Sequence, residues 1–119
     1  MKIIINKYIP LKGFIAMCFF NIIFWREDKK DLLENKLYYN LIYSHESIHL
    51  AQMRDFSSNI IFGGIIFYLI YFFEWLYKFL IKYPFSKRAY YNISFEKEAY
   101  LHQGEMNYLF QRDKFAEFK

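Results

Sequence analysis

Between Asn59 and Lys82 the chain is almost wholly apolar, broken only by Glu74 and Lys78. A stretch of this length leaves few choices. As a helix rising about 1.5 Å per residue, residues 60–81 can cross a bilayer core of roughly 30 Å, lie in a membrane interface, or pack into a protein core. Ser57-Ser58-Asn59 reads as a break and a new helix start, and Pro84 ends the stretch. Gly63-Gly64 weakens its first turn and can mark a kink.

The segments on either side carry the polar chemistry. From Leu37 to Phe56, the residues Leu37, Tyr38, Leu41, His45, Ile48, His49, Gln52 and Phe56 share one face at 3.6-residue spacing, which predicts a helix. Within it lies His45-Glu46-Ser47-Ile48-His49. Residues four apart sit about 40° apart around a helix and one turn apart along it, so two imidazoles at that spacing can grip one metal ion. Glu46 then points to the side of the ion, where it can take a proton from water instead of ligating. With three His in the chain, H-E-x-x-H arises by chance in roughly 0.5% of shuffled sequences, so composition alone does not account for it.

Two imidazoles need a third protein ligand, with the fourth position left open. His49 is followed by Leu50, Ala51 and Gln52, which rules out the H-x-x-G-x-x-H pattern. The remaining candidates lie in Phe95-Glu96-Lys97-Glu98-Ala99-Tyr100, on a helix expected to start near Asn92 or Ser94 and run towards the C-terminus. Its apolar face holds Phe95, Ala99, His102, Met106, Leu109 and Phe110. Glu96 and Glu98 point about 200° apart, so one faces the metal and the other is expected in solvent. Glu98 lies about 70° from the centre of the apolar face and Glu96 about 90°. That geometry leans towards Glu98, with His102 one turn on as its partner, and leaves Glu96 open.

H-E-S-I-H followed by E-K-E-A-Y resembles the gluzincin clan of zinc metallopeptidases. Membrane-linked members of that clan pair the motif with a glutamate in an E-x-x-A-D or E-x-x-x-D helix. Aligning E-x-x-A puts Glu96 at the ligand position, Ala99 at the small one and Tyr100 where Asp is usual. Aligning E-x-x-x-D on Glu98 puts His102 at the Asp. The chain also resembles a group of small uncharacterised bacterial proteins that carry H-E-x-I-H and F-E-x-E-A-Y. The resemblance implies a Zn2+ cofactor held by His45, His49 and one of Glu96 and Glu98. It also implies Glu46 as general base and a peptide or protein substrate.

A shared metal constrains the apolar stretch in turn. His49 precedes it and both glutamates follow it, so a simple span would strand them on opposite sides of a bilayer. Residues 84–93, carrying Lys87 and Arg88, cannot return through lipid as extended chain. A helix in the core or in the interface is therefore expected, with Trp75 and several Tyr at its polar boundary.

Elsewhere the sequence is less specific. Residues 3–9 and 14–25 are rich in strand formers and punctuated by Pro10, Lys12-Gly13 and Asn21, which predicts short strands or a hairpin. Residues 26–36 read as a charged surface loop. The run from Gly13 to Trp25 has no small-x-small site after it and is read as retained structure. Cys18 excludes an internal disulfide and fits a buried, inert thiol. With 55% hydrophobic and 24% aromatic residues, disorder is excluded. The net charge of +4 suits an anionic membrane surface better than nucleic acid, so membrane association is expected and a nucleic-acid partner is not. Arg54, Arg88 and Tyr90 are candidate substrate contacts.

The expected architecture is α+β: one mainly helical, zincin-like domain over residues 1–119 with a small N-terminal β element. The expected function is zinc-dependent peptide hydrolysis. The alternative is a non-catalytic zincin-like module that binds zinc or a membrane-associated partner.

Overall fold

The computed structural model describes residues 1–119 and is mainly helical, with one small sheet at the N-terminus. The strand-forming segments yield three strands: β1 (Lys2–Asn6), β2 (Ala16–Phe19) and β3 (Ile22–Arg26). β3 is central, parallel to β1 and antiparallel to β2, so β2 forms one edge. Phe20 and Asn21 turn β2 into β3, as the turn expected at Asn21 requires. Phe20 takes a left-handed φ of 54°, which costs a bulky residue strain. Its amide donates to the Tyr68 hydroxyl (3.1 Å), and that hydroxyl donates to the Cys18 carbonyl (2.9 Å). Residues 27–33, expected as loop, form a 3-10 turn with no buried residue.

Helix α1 (Lys36–Phe56) begins where the Asn35 side chain accepts from the Leu37 amide (3.1 Å). Helix α2 (Ile60–Tyr77) begins where Asn59 does the same for Ile61 (2.9 Å), at the break the sequence signalled. Gly63 and Gly64 produce close approach: a Cβ on Gly63 would lie 2.2 Å from the Met53 carbonyl oxygen of α1, and one on Gly64 would lie 2.4 Å from the Phe20 ring. Together they let α1 and the hairpin press on one side of α2.

A π-helical turn (Lys78–Lys82) follows α2, then the short α3 (Arg88–Tyr91) and α4 (Ser94–His102). Neither Asn92 nor Ser94 caps α4 with its side chain. Glu74 does so from α2: its Oε2 accepts from the Ser94 amide (2.8 Å), the Ser94 hydroxyl (2.7 Å) and Lys78 (2.7 Å). A residue that merely interrupted the apolar pattern thus fixes where α4 starts. α4 stops at His102, before Gly104, and the chain then forms α5 (Tyr108–Gln111) and a C-terminal turn that packs Phe118 on Phe95.

The core gathers Cys18, Met53, Phe67, Ile93 and Phe95 from β2, α1, α2 and the start of α4. Each large side chain buried there stabilises the fold by about 1.5–3 kcal/mol. Of the two placements expected for α2, core or interface, the core one does not fit, since only Gly63, Gly64 and Phe67 are buried along it. Its neighbours cover one side, and the rest is open.

Candidate metal centre

α1 places His45 and His49 one turn apart on the side facing α4, and Glu74 sets the start of α4 so that Glu96 faces them. All three are buried. Glu96 Oε1 lies 2.9 Å from His45 Nε2 and 3.2 Å from His49 Nε2, and the three ligating atoms lie within 4.8 Å of one another. The cluster has the donor types and convergence to hold a metal ion.

The outer nitrogens are held with equal care. His45 Nδ1 donates to Gln103 Oε1 (2.8 Å) and His49 Nδ1 donates to Gln52 Oε1 (2.8 Å). An amide oxygen only accepts, so the His49 ring keeps a proton on Nδ1 and turns Nε2 inward. Gln52 cannot flip: its amide nitrogen donates to the Phe95 carbonyl and to Glu98 Oε1, both at 2.9 Å, and the residue is fully buried. Two inward Nε2 lone pairs then meet a carboxylate oxygen, and only positive charge between them reconciles three acceptors. Within the chain alone, a proton on His49 Nε2, donated to Glu96, supplies that charge. Burial opposes charge on both partners, yet Glu96 raises His49 to about 9, while His49 and His45 hold Glu96 well below the usual carboxylate range. The Tyr71 hydroxyl donates to Glu96 Oε2 (2.6 Å), and burial together with the Glu96 charge keeps that phenol neutral.

Glu46 is buried beside the histidines and pairs with neither. Burial raises its pKa against the attraction of His49 and His45. It borders two adjoining hollows, of ≈ 520 Å³ and ≈ 400 Å³, that also share His45, Phe14, Ala16 and Tyr90. His49 and Glu96 line the smaller hollow.

Glu98 stands apart from this cluster, against the lean of the helical-face argument. It is not in solvent either, being 6% exposed. Arg112 donates to it from Nε (2.5 Å) and Nη2 (3.2 Å), and Tyr108 donates at 2.5 Å. α4 is covered on more than one side: Glu96 meets His45, His49 and Tyr71 of α1 and α2, while Glu98 meets Gln52 of α1 together with Tyr108 and Arg112 of the C-terminal segment. His102 is no partner of either glutamate; it pairs with Glu105 and stacks on Tyr108. Of the candidate substrate contacts, Tyr90 borders both hollows, and Arg54 and Arg88 are exposed. Cys18 is buried, with its thiol pKa pushed up chiefly by burial.

Sequence reading missed Tyr71, Glu74, Gln103 and Arg112. Tyr71 and Glu74 did carry a signal, as polar groups inside an apolar helix. Gln103 and Arg112 carried none, because Gln103 meets His45 from 58 residues away and Arg112 joins Asp55, Glu98 and Glu117 from separate segments.

No protein-family model, curated protein or solved structure matches this chain, so its functional reading rests on the geometry of the site.

Proposed function

We propose that the chain is a zinc-dependent peptidase, with zinc held by His45, His49 and Glu96 and with Glu46 as general base. The observation that carries this reading is the buried trio of inward-facing Nε2, Nε2 and carboxylate oxygen, with both outer imidazole nitrogens locked. Donors about 2.0–2.2 Å from one tetrahedral zinc stand roughly 3.3 Å from each other, close to the nitrogen–oxygen separations here. Zinc in such a site supplies Lewis-acid chemistry, acidifying water and polarising a carbonyl.

The chain's own residues divide the remaining work. Glu46, which bonds to neither histidine and whose pKa burial raises, is suited to accept a proton at a carboxylate oxygen and to pass it to a leaving amine. Tyr71 holds Glu96 in place through its second oxygen. β2 offers its outer edge to the hollow. The outward carbonyl of Cys18 is taken by Tyr68, and Ala16, two residues earlier, directs its backbone the same way. An extended peptide is suited to pair there with its scissile bond beside Glu46.

The test is zinc content and peptide-library cleavage, measured on the wild type, His45→Ala, His49→Ala and Glu46→Gln. About one zinc per chain, lost in both histidine variants, is expected. Glu46→Gln is expected to keep the metal and lose hydrolysis, because an amide keeps the shape but cannot take the proton. Wild type and both histidine variants equally free of zinc would end the metal reading. Zinc without cleavage of any peptide would favour the non-catalytic module.

A further inference from the structure

The cleft is not the molecule's largest apolar feature. Along α2, the residues Ile61, Phe62, Ile65, Ile66, Leu69, Phe72, Phe73 and Tyr77 are 39–64% exposed. At 100° per residue they fill one arc of about 160°, opposite Phe67, and no charged residue falls within it. With large side chains offering about 200 Å² each, half exposure gives a continuous patch of roughly 800 Å². Monomeric proteins rarely leave such a patch uncovered.

The end of this face identifies its occupant. From Trp75 to Phe95 the chain contains no Asp or Glu, but it carries Lys78, Lys82, Lys87 and Arg88. Lys78 is committed to Glu74, whereas Lys82, Lys87 and Arg88 are exposed. Among them stand exposed Leu80, Ile81 and Phe85, the last at 76% exposure and in a left-handed conformation with φ 53°. A broad apolar arc ending in free cations and exposed aromatics matches an anionic bilayer, with side chains in the acyl boundary and lysines at the headgroups.

We infer that α2 docks in the plane of an anionic membrane through this face, with residues 80–88 as its basic anchor. α2 does not span. The Gly63 backbone lies against the Met53 carbonyl of α1, and His49 packs on Phe67, so protein covers its inner side along its length. This inference does not depend on the metal reading.

The experiment is flotation of the full chain with phosphatidylcholine vesicles, with and without phosphatidylglycerol. Co-flotation is expected to rise roughly tenfold or more with the anionic lipid and to fall with added salt. Lys82→Glu/Lys87→Glu/Arg88→Glu should remove that gain, and Phe62→Glu/Leu69→Glu should abolish flotation, with both variants melting cooperatively by circular dichroism. Equal flotation on neutral and anionic vesicles would overturn the inference. So would a stable dimer that Phe62→Glu/Leu69→Glu dissolves, or carbonate-resistant insertion with one flank protected from protease.

Discussion

Two buried polar clusters sit on opposite sides of α4, and Glu96 and Glu98, two residues apart, belong one to each. On the Glu98 side Arg112 brings a fixed cation. It pairs with both oxygens of Asp55 (2.9 and 2.6 Å), with Glu98, and with Glu117 (2.6 Å). On the Glu96 side the partners are two imidazoles and no guanidinium or ammonium. The first cluster finds its cation within the chain and borders neither hollow. The second is aimed inward at one point, opens on a cleft, and calls for positive charge. Burial and hydrogen bonding are alike in the two; the source of the cation separates a structural knot from a candidate metal centre.

The largest effect is expected at the knot. Arg112→Met leaves the buried Asp55 and Glu98 carboxylates without their cation and should lower stability by about 3–5 kcal/mol, much of the total for a domain of this size. Urea unfolding measures it, and a loss below about 1 kcal/mol would mean the knot behaves like an exposed ion pair.

The two glutamates are then separated by zinc affinity, read by competition with a chromogenic chelator. Gln52→Ala frees the His49 ring and should cost roughly 10–100-fold. Glu96→Ala removes a ligand and should cost more than that. Glu98→Gln should stay within about tenfold while weakening the knot. Equal losses in Glu96→Ala and Glu98→Gln would erase the distinction between the clusters.

The smallest effect is a pH dependence inside the knot. Glu117 is raised to about 8, chiefly by burial and then by Asp55, with Arg112 opposing; one of its oxygens has no partner. A carboxyl raised in the folded state favours folding while protonated. Its contribution is full below about 4.5 and is lost as pH rises through about 8. Glu117→Gln, which cannot ionise, should lack this decline. Thermal midpoints from pH 5 to 9, wild type against variant, check it. Parallel curves would show that Glu117 is ionised throughout.

The sequence by itself determined the strand region, the two long helices and half of the site. Asn59 marked a helix start because a side-chain cap acts on amides two residues away. His45, Glu46 and His49 were legible because helical spacing alone puts the two imidazoles side by side. Strand composition and the Asn21 turn announced the hairpin for the same local reason. What only the tertiary structure decided is which glutamate meets the histidines and which side of α2 stays open. Helical angles placed Glu96 and Glu98 on opposite sides but could not say what covers each. Glu74 sets where α4 begins, and Arg112, 14 residues beyond Glu98, claims that carboxylate first. The hydropathy of residues 60–81 likewise could not distinguish a buried helix from an open one. That depends on Gly63 and Gly64 bringing α1 and the hairpin to one side, and on nothing in the chain reaching the other.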